Sequence, residues 1–253
     1  MFRAMDALNP HELAWAAGFF DAEGYVGASR RTGRKTFRLQ MSVSQAHLAP
    51  LQRFAKALGD QGNFFGPARG YLYYWYSHRF RTVCEAMSLL WPWLSAPKRT
   101  QFTLALARAH RDAPCEAPSR APEPDTGHER AWAAGLFDGE GYIAASRHPN
   151  RGREIRASIA QAGRESTPLV LPRFRDAVGV GVIRGPRVLS SPWSRLPQWR
   201  WEVTSVRDVE SVRIALWPWL GERSRDRFGT ALGVYGLGLP IALKQVRDPI
   251  THQ

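Results

Sequence analysis

The chain has 253 residues, 44% of them hydrophobic, and a formal net charge of +13 at pH 7. That length suits one large or two small domains with a real core, and a pI near 10.6 points to a polyanionic partner. No apolar run reaches the roughly 18 residues a membrane span needs, the opening MFRAMDALNPHE lacks an apolar signal core, and Cys84 and Cys115 are too few and too isolated for a zinc site or disulfide framework. The expected setting is reduced: cytoplasmic or organellar, not secreted.

A first helix is expected over residues 10–22, capped by Asn9, with Pro10 at its first position and Gly24 ending it. In FRLQMSVSQ (37–45) polar Arg38, Gln40, Ser42 and Ser44 alternate with Leu39, Met41 and Val43, the pattern of a half-buried strand. LQRFAKALG (51–59) reads as a helix, and residues 71–77 as the fourth strand of the half. LLWPWL (89–94) and a helical stretch over 97–109 follow. Residues 110–128 carry Pro114, Pro118, Pro122 and Pro124 and almost no large apolar side chain, so they read as a linker.

Beyond the linker the chain repeats itself. AWAAGFFDAEGYVGASR (14–30) returns as AWAAGLFDGEGYIAASR (131–147), with only Phe19/Leu136, Ala22/Gly139, Val26/Ile143 and Gly27/Ala144 differing. A period of 117 residues fits a duplicated domain and is too long for a solenoid. The match continues: EIRASIAQ (154–161) answers the second strand and also ends in Gln, and LPRFRDAVG (171–179) answers the helix. VIRGP (182–186) answers FFGP (64–67), residues 198–204 answer the fourth strand, and ALWPWL (215–220) answers LLWPWL. The expected architecture is α+β, two pseudo-symmetric αββαββα repeats with antiparallel sheets and helices on one face. The halves are 1–109 and 129–238, joined by 110–128 and followed by a tail over 239–253.

Small residues at helical spacing, Ala14, Ala17 and Gly18 and again Ala131, Ala134 and Gly135, let two helices approach closely. Packing alone explains them. It does not explain the acid repeated just past each helix, Glu23 and Glu140. Paired about a pseudo-twofold axis, the two carboxylates meet at the negative ends of two helix dipoles. A cation relieves such a site, and Mg²⁺ suits carboxylate, carbonyl, water and phosphate oxygens.

WAAGFFDAEG and WAAGLFDGEG resemble the two motif copies of a single-chain LAGLIDADG homing endonuclease. The resemblance implies a saddle-shaped sheet in each half lying in the DNA major groove. It implies metal-dependent, site-specific cleavage of both strands of a long asymmetric target, leaving short 3′ overhangs, by a monomer. On this reading Glu23 and Glu140 bind the metal, with carbonyls of Ala22 and Gly139 beside it. Gln45 and Gln161 position water. Lys98 matches a basic residue near the scissile phosphate, and its second-half counterpart is Arg223 or Arg225. Mg²⁺ is the expected cofactor, with Mn²⁺ substituting and Ca²⁺ supporting binding without efficient cleavage.

Base reading is expected from the exposed strand faces: Ser29, Arg31, Arg34, Arg38, Gln40, Tyr74 and Tyr76 in the first half, and Ser146, His148, Arg153, Arg156, Arg187, Gln198 and Arg200 in the second. The tryptophans of the WPWL segments read as core. A maturase that assists intron splicing and a non-catalytic DNA-binding regulator on the same fold are the alternatives. Both acids being present favours cleavage.

Overall fold

The computed structural model describes residues 8–30, 37–109, 125–148, 152–163, 166–188 and 196–237. The first repeat runs α1 (Pro10–Glu23), β1 (Gly24–Arg30), β2 (Phe37–Gln45), α2 (Leu48–Ala57), β3 (Asn63–Ala68), β4 (Leu72–Ser77), α3 (Phe80–Leu90) and α4 (Ala96–Ala109). The second runs α5 (Thr126–Glu140), β5 (Gly141–His148), β6 (Gly152–Ala162), α6 (Val170–Val178), β7 (Val182–Arg187), β8 (Gln198–Val203), α7 (Val206–Leu216) and α8 (Glu222–Gly233). Each repeat forms a four-stranded antiparallel sheet, ordered β1-β2-β4-β3 and β5-β6-β8-β7.

The starts of the motif helices follow from their caps. Asn9 Oδ1 accepts the His11 N–H at 2.9 Å, and Pro10 supplies a preset φ at the first position. In the second repeat Asp125 accepts the Gly127 N–H at 3.2 Å, and α5 begins at Thr126, inside the stretch read as linker. Gly24 ends α1 as expected, and Gly141 ends α5 in the same way. Gly24 follows α1 in extended backbone, φ −82° and ψ 149°, not in the left-handed region. It is glycine for want of space, since a Cβ there would lie 2.2 Å from the Phe20 ring. Left-handed capping occurs elsewhere, at Gly179 after α6, with φ 75°.

In β2 the alternation holds. Leu39, Met41 and Val43 are buried, and the residues between them face outward. In β6 Ile155, Ala157 and Ile159 do the same. Trp75 and Trp201 enter the core from the fourth strands. Their indole N–H groups donate to the carbonyls of Gln61, at 2.7 Å, and Val180, at 3.0 Å. Both indoles are thus satisfied without water. The WPWL tryptophans pack against the same core.

The two repeats join along α1 and α5, and the contact is reciprocal. A Cβ on Gly18 would lie 1.9 Å from the Trp132 carbonyl oxygen, and a Cβ on Gly135 would lie 1.9 Å from that of Trp15. Backbone therefore touches backbone, which no other residue permits. Trp15 donates its indole N–H to Asp138 at 2.8 Å, and Trp132 donates to Asp21 at 2.8 Å. Arg53 pairs with Glu12 of its own repeat and donates to the Trp219 carbonyl of the other, and Arg173 does the same with Glu129 and Trp93. Among the described residues these four hydrogen bonds cross the interface in two symmetric pairs.

Candidate active site

The helix contact places the carboxylates. Ala22 and Gly139 meet at the close of the α1–α5 seam, where a Cβ on Gly139 would lie 2.5 Å from that of Ala22 and 3.1 Å from Glu23 Cγ. Only one of the two positions can carry a methyl, which accounts for the Ala/Gly difference between the copies. Glu23 and Glu140 end the helices there, close enough that the charge of Glu140 acts on Glu23. Burial first, and that charge second, push Glu23 up to about 7. Partial desolvation also raises Glu140, although its side chain reaches solvent.

Each acid is hydrogen-bonded by the glutamine that ends the second strand of its repeat. Gln45 donates to Glu23 Oε1 at 3.0 Å, and Gln161 hydrogen-bonds Glu140. Register makes this possible. Gly24 pairs with Val43 and Gly141 with Ile159, so each second strand returns to its motif helix and delivers its glutamine two residues further on.

Lys98, near the start of α4, reaches the same place. Its ammonium donates to the Gly24 carbonyl and lies 5.4 Å from the Phe20 ring centroid. Burial lowers its pKa, while Asp21, Glu23 and Glu140 oppose the change. Its counterpart in the second repeat is neither Arg223 nor Arg225. Arg99 lies over Trp91 and donates to the Trp91 and Pro92 carbonyls, while Arg225 lies over Trp217 and donates to the Pro218 carbonyl. Arg225 therefore answers Arg99, and the residue before it, Ser224, answers Lys98. Ser224 is buried and hydrogen-bonds Asp138.

The sequence matches no protein-family model and no curated protein. Its folded form is similar to solved structures. The LAGLIDADG meganuclease I-AabMI bound to uncleaved DNA superposes with a TM-score of 0.65 at 16% identity, over 90% of this chain and 91% of that one. The LAGLIDADG homing endonuclease I-GzeII in complex with a DNA target gives 0.60 at 13% identity, over 96% and 94%. I-LtrWI bound to target DNA gives 0.56 at 14% identity, over 96% and 94%. The chain has the LAGLIDADG homing endonuclease fold.

On this fold the residues expected to read bases fall into four groups. Ser29, Gln40, Tyr74 and Tyr76 stand on the outer face of the first sheet, where Ser29 Oγ donates to Gln40 Oε1 at 3.0 Å. Arg38 lies beside them, with a buried Nε that has no hydrogen-bond partner. In the second sheet Ser146, Arg156, Arg187, Gln198 and Arg200 lie on the strands, and Arg156 stands 3.9 Å from Glu202. Arg153 is held elsewhere: its guanidinium donates to the Val234 carbonyl at 2.7 Å and lies near the Tyr235 ring, which draws it back toward the end of α8. Arg31 and Arg34 lie outside the described residues, as does the side chain of His148.

Three features of this face were not anticipated. Tyr25 and Tyr142, each two residues past an acid, are 47% and 55% exposed. Phe65 stands exposed on β3 beside Tyr74, while Phe64, opposite core-facing Trp75, is exposed on the other face of the same edge strand, and Arg184 bonds Glu202 at 2.8 Å in the second sheet. The repeated EGY tripeptide was the available signal for the tyrosines. Asp21 and Asp138 lie one helical turn past Gly18 and Gly135. They are the buried acceptors that lock the seam, and burial pushes both upward in pKa against their hydrogen bonds.

Proposed function

We propose that this protein is a site-specific double-strand DNA endonuclease that hydrolyses phosphodiester bonds with a divalent metal held between Glu23 and Glu140. One observation carries the reading: the seam of α1 and α5 crowds the two repeated acids together where each helix feeds its sheet. The donors suit Mg²⁺, being carboxylate oxygens with the carbonyls of Ala22 and Gly139 nearby. Desolvation and like charge hold Glu23 near 7, a penalty that a bound cation removes. When bound, such an ion polarises the scissile phosphate and activates water for in-line attack.

The remaining work falls to this chain's own side chains. Glu23 and Glu140 hold the ion. Gln45 and Gln161 fix the carboxylates and offer amide groups to an attacking water. Lys98, a compact ammonium among the acids, neutralises developing charge on a phosphate oxygen. The strand arginines bind the DNA backbone and read guanine edges. The outward side chains of the two sheets differ, so the target is long and asymmetric. Both halves of the interface lie in one chain, so the working unit is a monomer. Cleavage leaves short 3′ overhangs, Mn²⁺ replaces Mg²⁺, and Ca²⁺ supports binding without efficient cleavage.

Selection from a library of randomised duplex targets tests this reading. In Mg²⁺ the protein should enrich one extended target cut on both strands, and EDTA should stop the reaction. Recovery of no cut duplex, or cutting without sequence preference, would overturn it.

A further inference from the structure

At the opposite end of the seam, two imidazoles meet between two indoles. His11 near the start of α1 and His128 near the start of α5 have ring centroids 4.6 Å apart. Trp219 stacks on His11 at 5.7 Å, and Trp93 closes on His128 at 5.6 Å. The backbone of each tryptophan is held by an arginine from the other repeat, Arg53 donating to the Trp219 carbonyl and Arg173 to that of Trp93. Gly127 makes the approach possible, because a Cβ there would lie 2.9 Å from His11 Nε2. The row Trp219–His11–His128–Trp93 is thus built symmetrically from both repeats.

One member breaks the symmetry. Asp125, the cap of α5, lies beside the histidines, and its positional counterpart in the first repeat is Leu8. One ligand atom each from His11, Asp125 and His128 lies within 4.8 Å of the other two. His128 Nδ1 is buried and has no hydrogen-bond partner, although Asp125 Oδ2 is 3.3 Å away. A buried imidazole nitrogen left unpaired beside a carboxylate is a donor set waiting for a cation. Small side-chain rotations bring donors at that spacing onto bonds of about 2 Å.

We propose that His11, His128 and Asp125 form a second metal site, for a borderline transition cation of the Zn²⁺ class, that clips the two repeats together. Two imidazoles and one carboxylate select Zn²⁺ over the hard cations that suit the acid pair. From His128 to Glu140 is twelve helical residues, roughly 18 Å along α5, so the two sites are separate. His11 comes from the first repeat and the other two ligands from the second, so the bound ion stabilises the seam by linkage. The proposal stands independently of DNA cleavage.

The test uses the full chain, stripped of metal by chelation and returned to excess Mg²⁺ so that the acid pair is not available to Zn²⁺. Calorimetric titration with ZnCl₂ should show one equivalent bound, and Co²⁺ should give a visible ligand-field spectrum. At a hundredfold excess over Kd, Zn²⁺ should raise Tm by about 5 °C. His11→Ala and His128→Ala should each weaken binding by on the order of a hundredfold, the loss of one ligand of three. Asp125→Asn, which keeps the helix cap, should weaken it about tenfold. His11→Phe and His128→Phe preserve the aromatic row and serve where the alanine variants do not fold; they should melt normally without Zn²⁺ and gain nothing from it. No Zn²⁺ binding by the wild type, or unchanged binding by the histidine variants, would overturn the proposal.

Discussion

In the first repeat Ser95 satisfies Asp21 twice, with its backbone N–H at 3.0 Å and its hydroxyl at 2.6 Å, and the residue three places on is Lys98, which points at the acids. In the second repeat Gly221 holds the position of Ser95. It gives Asp138 its backbone N–H at 2.7 Å but has no hydroxyl, and Ser224 supplies the missing hydrogen bond. The same buried carboxylate is satisfied in both halves, but in the second half the repair uses up the place of the lysine. The ammonium therefore stands on the first repeat's side of the acid pair, with buried Ser224 at the matching place in the second. The seam tolerates only the exchange of one satisfied network for another, because an unsatisfied buried carboxylate is costly.

The largest effect that sharpens this contrast is expected from Lys98→Met. Loss of the ammonium should slow cleavage of one strand by about a hundredfold or more and the other strand much less. Ser224→Ala should leave both cleavage rates within about threefold and lower stability by about 2 kcal/mol, the worth of one hydrogen bond to a buried carboxylate. A strand-resolved time course on a supercoiled plasmid bearing the target separates the two, because a nicked intermediate should accumulate for the wild type. Equal slowing of both strands by Lys98→Met would break the comparison.

Where the repeats agree, their variants should agree. Gly18→Ala and Gly135→Ala should each destabilise by about 3 kcal/mol, since each forces a methyl into a carbonyl of the partner helix. Chemical denaturation measures this, and a large difference between the two would show that the seam is less reciprocal than its hydrogen bonds.

A smaller effect concerns pH. Glu23 has a folded pKa of about 7, above its unfolded value of 4.5. The folded state therefore holds the extra proton between those values, and this contribution to stability is present below about 4.5 and lost as pH rises through about 7. Without divalent metal, Glu23→Gln should melt higher than the wild type at pH 8, by on the order of a few degrees, and the gap should close toward pH 4.5. A constant gap across that range would show that Glu23 is not desolvated as described.

Much of this was legible in the chain because duplication prints its constraints twice. Helix spacing, strand alternation and the repeated Glu are local patterns, and they pointed to the seam, the sheets and the acid pair, while the two glutamines were singled out only through the family resemblance. What escaped depends on contacts far apart in sequence. The pairing of Trp15 with Asp138 and of Trp132 with Asp21 spans more than a hundred residues and has no local signature. The counterpart of Lys98 was sought by charge among Arg223 and Arg225, whereas the packing of Arg225 on Trp217 sets the register and leaves Ser224 in its place. Gly24 was legible as the end of α1, but the reason it must be small, the Phe20 ring against it, was not. Arg153 looked like a strand-face arginine until the end of α8 supplied it a carbonyl.

The central claim is that the two repeats build one metal-dependent centre from one acid each. Its most direct measurement is duplex cleavage in Mg²⁺ by Glu23→Gln, by Glu140→Gln and by the double variant, with DNA affinity measured in parallel. The account predicts that each single variant loses most double-strand cleavage, that the double variant loses all of it, and that all three bind the target almost as tightly as the wild type. Full cleavage by the double variant, or normal cleavage by the wild type in EDTA, would contradict it.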